Sequence, residues 1–211
     1  MEPLTAHTGR VVALRRGSVD TDQVIPSEFC KRVTKTGFSD GLFARWRQQA
    51  DFVLNRPESA EATVLLAGPD FGTGSSREHA VWALRDWGFA VVISARFGDI
   101  FARNALKNGL LAVCLADEVV GGLMDRADAD PGFEVTVDLT RRQVRAADVH
   151  WDFEIDERAR WLLLNGYDDI GVTLQREEDI TRYEQARPYW LPTIVRGALA
   201  ATAAPPAGAL K

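Results

Sequence analysis

The 211-residue chain is 46% hydrophobic and 26% charged, with a formal net charge of −5. Such a length and composition suit one globular domain with a sizeable core. The negative balance argues against nonspecific nucleic-acid binding, and no apolar run is long enough to span a bilayer.

Along the chain, Met1 to Gly9 lacks the basic-then-apolar pattern of an export signal, so the expected location is cytoplasmic. Arg10 to Leu14 predicts a short strand, and Ser18 to Gln23 a polar turn. Pro26 biases Ile25 away from helix. Thr36-Gly37-Phe38 and Asp40-Gly41 mark a loop, and Asp51 to Glu61 a polar connector. The alternation is clearest in the middle of the chain. Ala62 to Ala67 predicts a buried strand, and Gly68 to Ser76 a glycine-rich loop. A helix follows from Glu78, with Ala80, Leu84 and Trp87 on one face and Gly88 as its stop. Ala90 to Ser94 predicts a strand and Asp99 to Leu106 a helix ended near Asn108-Gly109. Leu110 to Leu115 and Asp117 to Ala127 repeat the pair. This spacing implies an α/β layer with parallel strands. After Pro131-Gly132, Phe133 to Val137, Gln143 to Ala146 and Trp151 to Ile155 predict a small additional β section. C-terminal helices are expected over Glu157 to Leu164 and Ile180 to Ala186. Residues 1–196 form one expected domain with extensions, and the Ala/Gly/Pro-rich residues 197–211 an expected disordered tail.

Cys30 and Cys114 are the two cysteines, and His7, His79 and His150 the three histidines. The thiols are expected to be unpaired. Two isolated cysteines cannot make a three- or four-thiolate cluster site, and the histidines lack ligand spacing. No metal is therefore expected on this chain's own residues.

The loop Gly72-Thr73-Gly74-Ser75-Ser76-Arg77-Glu78-His79-Ala80 joins a strand to a helix. It lacks the Gly-Lys-Ser/Thr ending of a phosphate-binding loop. Arg77 stands where a dinucleotide motif needs its third glycine, and no glycine follows Ser75 at the spacing of a nucleophile elbow. Two readings of its chemistry remain. Ser75 or Ser76 could cap the helix, with Glu78 near its second or third position. Alternatively, the N–H groups of the helix start, two hydroxyls and a guanidinium could bind an anion, with Arg77 gripping a carboxylate through two parallel bonds.

Gly74-Ser75-Ser76-Arg77-Glu78-His79-Ala80 resembles the signature of the swivelling domain of the aconitase superfamily. Val19-Asp20-Thr21-Asp22-Gln23-Val24-Ile25-Pro26 is similar to the N-terminal motif of the isopropylmalate isomerase small subunits, as is Lys31-Arg32-Val33-Thr34-Lys35-Thr36-Gly37-Phe38. Phe97-Gly98-Asp99-Ile100-Phe101, Lys107-Asn108-Gly109-Leu110 and Leu164-Asn165-Gly166-Tyr167-Asp168-Asp169-Ile170-Gly171 continue the match, from about Gly9 to about Pro192. Thr73 departs from it, since many members carry cysteine there; that cysteine is no cluster ligand in the family.

The resemblance implies a β/β/α swivelling domain and a hydro-lyase of leucine biosynthesis that moves a hydroxyl between adjacent carbons of a 2-hydroxy dicarboxylate by dehydration and rehydration. It places a 4Fe–4S cluster, acting as Lewis acid, in a separate large subunit. Ser75 matches the family's catalytic base and Arg77 its carboxylate-binding arginine. Ser76 matches a residue that hydrogen-bonds a substrate carboxylate, and Asp22 an acidic residue lining the site. Lys31 and Arg32 are expected either as surface charge or as recognition of the rest of the substrate. His79 is expected to be structural, Glu78 to cap the helix or position Arg77, and Asn108 to end a helix. A related hydro-lyase acting on citraconate, methylmalate or homoaconitate, and a noncatalytic anion-binding module, are the alternatives.

Overall fold

The computed structural model describes residues 1–188 and 190–192; the expected disordered tail lies outside them. Met1–Val172 forms one compact unit. It is built on a seven-stranded sheet in the order β4-β3-β2-β1-β5-β6-β7. The strands are β1 (Ala6–Leu14), β2 (Ala62–Ala67), β3 (Val91–Ser94), β4 (Leu111–Cys114), β5 (Glu134–Asp138), β6 (Gln143–Ala146) and β7 (Val149–Asp152). β1 to β4 run parallel, as the alternation with helices predicts. The later strands β5 to β7 are the small additional β section that the sequence predicts. They continue the same sheet antiparallel, with β5 on the free edge of β1.

That pairing explains why β1 begins four residues before the predicted Arg10. Ala6 to Arg10 pairs with Asp138 to Glu134 through the backbone, so the segment needs no apolar side chains, and a bare edge is covered. β7 likewise begins earlier than Trp151, because Ala146 pairs with Val149 across a two-residue turn at Ala147 and Asp148. In that turn Ala147 takes φ 51°.

Both faces of the parallel strands are buried, so they read as near-continuous apolar runs. Val12, Leu14, Leu65, Ala67 and Val92 face a core shared with α2 (His79–Trp87) and α3 (Asp99–Lys107). Val11, Ala13, Val64, Leu66, Val91 and Ile93 face the other core, with Val120, Leu123 and Met124 of α4 (Asp117–Ala129) and Leu163 of α5 (Glu157–Asn165). The period-two split of adjacent residues between two cores gives a mixed α/β sheet covered by helices, consistent with the swivelling domain that the resemblance implies. α2 ends on Gly88 at φ 119° and α5 on Gly166 at φ 69°, the left-handed C-caps that glycine supplies at least cost. A one-turn helix, α1 (Thr21–Val24), replaces the expected polar turn, with Asp20 and Gln23 forming a capping box. α6 spans Asp169–Leu174, and a second unit starts at Thr173. This unit holds α7 (Glu177–Ala186), laced by an Arg182–Asp179 ion pair at 2.8 Å.

Candidate active site

The loops after β1, β2 and β3 lie at the carboxyl ends of parallel strands, where open α/β sheets place their sites. The Gly72–Arg77 loop is held from two sides. On one side, Val19 to Thr21 runs along it. Gly72 N–H donates to the Val19 carbonyl (2.7 Å), Thr21 N–H to the Thr73 carbonyl (2.9 Å), and the Thr21 hydroxyl to the Ser75 carbonyl (3.0 Å). On the other side, the start of α3 packs directly beneath. A Cβ on Gly98 would lie 2.5 Å from the Gly72 carbonyl oxygen, and one on Gly72, itself at φ 76°, 2.2 Å from Phe101. Glycine is required at this crossing for close approach and for backbone conformation alike.

Ser75, Ser76 and Arg77 precede the helix rather than capping it. The N-cap of α2 is Glu78, without a side-chain capping bond, so neither serine hydroxyl serves the helix. The strap to Val19–Thr21 holds the loop as far as the Ser75 carbonyl, and the helix begins only at His79. Ser75 and Ser76 are exposed, and neither hydroxyl has a hydrogen-bond partner among the described residues. Arg77 Nη1 donates to Asp22 Oδ1 in a short ion pair. The capping box that winds α1 presents Asp22 on its first turn, and the strap brings that turn to the loop. Asp22, Ser75, Ser76 and Arg77 therefore meet at one place. Glu78 neither caps through its side chain nor reaches Arg77; its carboxylate accepts from Asn108 Nδ2 at 2.7 Å.

Lys31 and Arg32 follow Cys30, whose thiol lies near both Arg77 and Asp22. Burial pushes that thiol up, against the opposing pull of Arg77. Arg32 is already engaged in the free chain. Its two terminal nitrogens donate to the two Asp40 oxygens at 2.7 Å each, and Nη1 also reaches the Gly37 carbonyl. The guanidinium lies 5.1 Å from the Phe29 ring centre and 5.7 Å from that of Phe38. It staples the exposed loop 31–37 onto its own stem. Lys31 is exposed on the same loop, and Val33 is wholly in solvent.

His79 packs between Phe38 (5.4 Å) and Trp82 (4.7 Å), with Nδ1 buried and unpartnered among the described residues, in keeping with a structural role. Burial, aided by the charge of Arg77, holds its imidazole below the ordinary 6.5. Burial does the same to His7, which shares a 2.7 Å bond with Thr63. Folded pKa values below the unfolded ones mean that the unfolded chain binds more protons. The stability from these neutral rings is therefore complete above about pH 6.5 and is lost as pH falls from there through the lower folded values. The thermal midpoint is expected to decline between pH 7 and 5, and to decline less with His7→Gln and His79→Gln combined. An unchanged slope in the double variant would contradict the assignment.

Among the described residues, no three His, Cys, Asp or Glu side chains come close enough to hold a metal ion. Cys30 lies beside the loop and Cys114 at the end of β4; both are free. Two free cysteines supply too few thiolates for a three- or four-cysteine iron–sulfur cluster, and among the described residues no other ligand stands near enough to complete one.

Three family profiles match the chain. They are the aconitase C-terminal domain over residues 1–118, LeuD_N over residues 122–157, and the C-terminal domain of the 3-isopropylmalate dehydratase small subunit over residues 169–194. Among similar proteins, the 3-isopropylmalate dehydratase small subunit of Acidothermus cellulolyticus is 62% identical over 92% of this chain and 98% of its own length. That of Streptomyces griseus is 62% identical over 92% and 99%. The crystal structure of the 3-isopropylmalate dehydratase (leuD) of Methanocaldococcus jannaschii superposes with a TM-score of 0.64. It covers 84% of this chain and 98% of that one at 23% identity, a likeness of fold. With profiles spanning most of its length and relatives matching it nearly end to end, the chain belongs to the family of 3-isopropylmalate dehydratase small subunits.

Proposed function

We propose that the chain is the catalytic-base half of a cytoplasmic 3-isopropylmalate dehydratase of leucine biosynthesis, a hydro-lyase that interconverts 2- and 3-isopropylmalate through isopropylmaleate. The observation that carries this reading is an exposed loop on which Ser75, Ser76 and Arg77 stand together, with Asp22 beside them. Ser75 Oγ, as the alkoxide, takes the proton from the carbon next to a carboxylate while hydroxide leaves the neighbouring carbon. Ser75 then returns that proton to the carbon that lost hydroxide, while hydroxide adds to the carbon first deprotonated, which leaves Ser75 as the alkoxide again. A serine alkoxide is viable only where positive charge and N–H donors stabilise it. Arg77 two residues away and the positive end of α2 supply these. Ser76 and Arg77 hold a substrate carboxylate, and Lys31, on the neighbouring loop, faces the remainder. Arg32, stapled to Asp40, shapes that loop.

Such chemistry needs a site closed to water, and Ser75 and Ser76 stand in solvent. The missing wall, and the Lewis acid that draws off the hydroxyl, belong in this reading to a large subunit with a 4Fe–4S cluster. The purified chain is therefore expected to show no dehydratase turnover and no stoichiometric iron, and to gain isopropylmalate turnover on mixing with a cluster-loaded large subunit. Turnover by the lone chain would overturn the division of labour. Faster turnover of citraconate or a methylmalate than of isopropylmalate in the complex would move the assignment to a related hydro-lyase.

A further inference from the structure

Asn108 stands apart from Asp22, Ser75, Ser76 and Arg77, yet its side chain holds the helix that follows them. It is the C-cap of α3, and three hydrogen bonds converge on its amide. Nδ2 donates to Glu78 Oε1 (2.7 Å) and to the Asn104 carbonyl (2.8 Å), while Oδ1 accepts from Trp82 Nε1 (3.0 Å). Both donor hydrogens are thus engaged. Glu78 and Trp82 are the two ends of the first turn of α2, since the Glu78 carbonyl accepts from Trp82 N–H at 3.1 Å. One amide therefore clamps that turn at both ends. Glu78 directly follows Arg77, so the clamp sets where the loop ends. The other end of the loop rests on the start of α3, where Gly98 N–H donates to the Phe71 carbonyl at 2.9 Å and Gly98 abuts Gly72. α3 thereby anchors the Gly72–Glu78 segment from both of its own ends. A terminal asparagine that only ended its helix would need the Asn104 bond and neither of the others.

We propose that Asn108 is a positioning residue for the dehydratase reaction: through Glu78 and Trp82 it fixes the start of α2, and with it the orientation of Arg77 and Ser75 toward substrate. The proposal rests on the reading of Ser75 as base and Arg77 as carboxylate grip. A hydrogen bond to a charged group is at stake, so its loss is expected to lower kcat about tenfold.

The test uses the assembled complex with its large subunit. Asn108→Asp keeps the acceptor for Trp82 but sets a second carboxylate against Glu78. It is expected to lower kcat about tenfold and to raise KM as Arg77 moves. Adding Glu78→Gln reverses the polarity of the pair, because the introduced amide now donates to the introduced carboxylate. It is expected to restore kcat to within about threefold. A structural helix end would give no such rescue. Normal turnover in Asn108→Asp, or a double variant as slow as the single one, would overturn the proposal. If Asn108→Asp does not fold or assemble, the milder Glu78→Gln and Trp82→Phe variants decide, since each weakens one arm of the clamp; normal kcat in both would also overturn it. Ser75→Ala serves as the control. If that variant turns over normally, the failure belongs to the catalytic reading and not to the clamp.

Discussion

Ser75→Ala is expected to lower turnover of isopropylmalate by the assembled complex by about a hundredfold or more, the scale of a lost general base, while leaving the fold and subunit assembly unchanged. The two halves of this expectation have separate causes. The hydroxyl has no hydrogen-bond partner among the described residues and is exposed, so its removal opens no cavity and orphans no polar group. A capping serine would behave otherwise. Its truncation would cost about 1 kcal/mol of stability and leave the chemistry nearly intact. The position of Glu78 as N-cap removes that reading for the folded chain. The thermal midpoint of the isolated chain, titration against the large subunit and kcat of the complex together decide the matter. A variant with an intact midpoint, normal assembly and near-normal kcat would leave the base elsewhere, most plainly on the large subunit. Ser76→Ala offers an internal contrast. Its expected effect falls mainly on KM, because a group that grips the carboxylate in both ground and transition states contributes uniform binding.

Where burial writes a pattern into the sequence, the fold was legible. β2 and β6 span the residues predicted for them, and α2 stops at the glycine that marks its end. These elements are set by period-two or helical apolar spacing and by a residue with few conformational rivals. The N-terminal half of β1 was not legible, since Ala6 to Gly9 joins the sheet through backbone bonds to a strand about 130 residues later, with no apolar alternation to announce it. The missed helix α1 did have a signal. Asp20 followed three residues later by Gln23 is a capping-box pattern, obscured by the polar composition around it. At the candidate site, the motif put Ser75, Ser76 and Arg77 on one loop, but their relations to other segments were not readable. That Arg77 meets Asp22, that Arg32 is committed to Asp40, and that Asn108 reaches Glu78 are facts of packing between segments 8 to 55 residues apart. Side-chain pairing over such separations leaves no trace in local spacing.

Arg77→Lys is expected to lower kcat/KM by about a hundredfold, with both constants worsened, and to leave the thermal midpoint nearly unchanged. The Arg77–Asp22 pair is only partly shielded, with side-chain exposures of 28% and 46%, and ion pairs so open to solvent add little to stability. Function is different, because it uses geometry as well as charge. A guanidinium can keep one nitrogen on Asp22 and still offer its others to a substrate carboxylate, whereas an ammonium on a flexible stem has neither the planar fork nor a fixed direction. With Arg77 also stabilising the Ser75 alkoxide, as proposed, the loss extends to kcat and is not confined to binding. Asp22→Asn separates the two duties. It leaves the guanidinium charged and able to bind the carboxylate but removes the anion that aims it, so KM should rise while kcat falls less than in Arg77→Lys. A lower KM would instead identify Asp22 as an occupant that substrate must displace from Arg77. Steady-state kinetics of both variants in the assembled complex distinguish these outcomes. Near-normal values for Arg77→Lys would show that charge alone suffices, and would remove the two-pronged grip from the account of this loop.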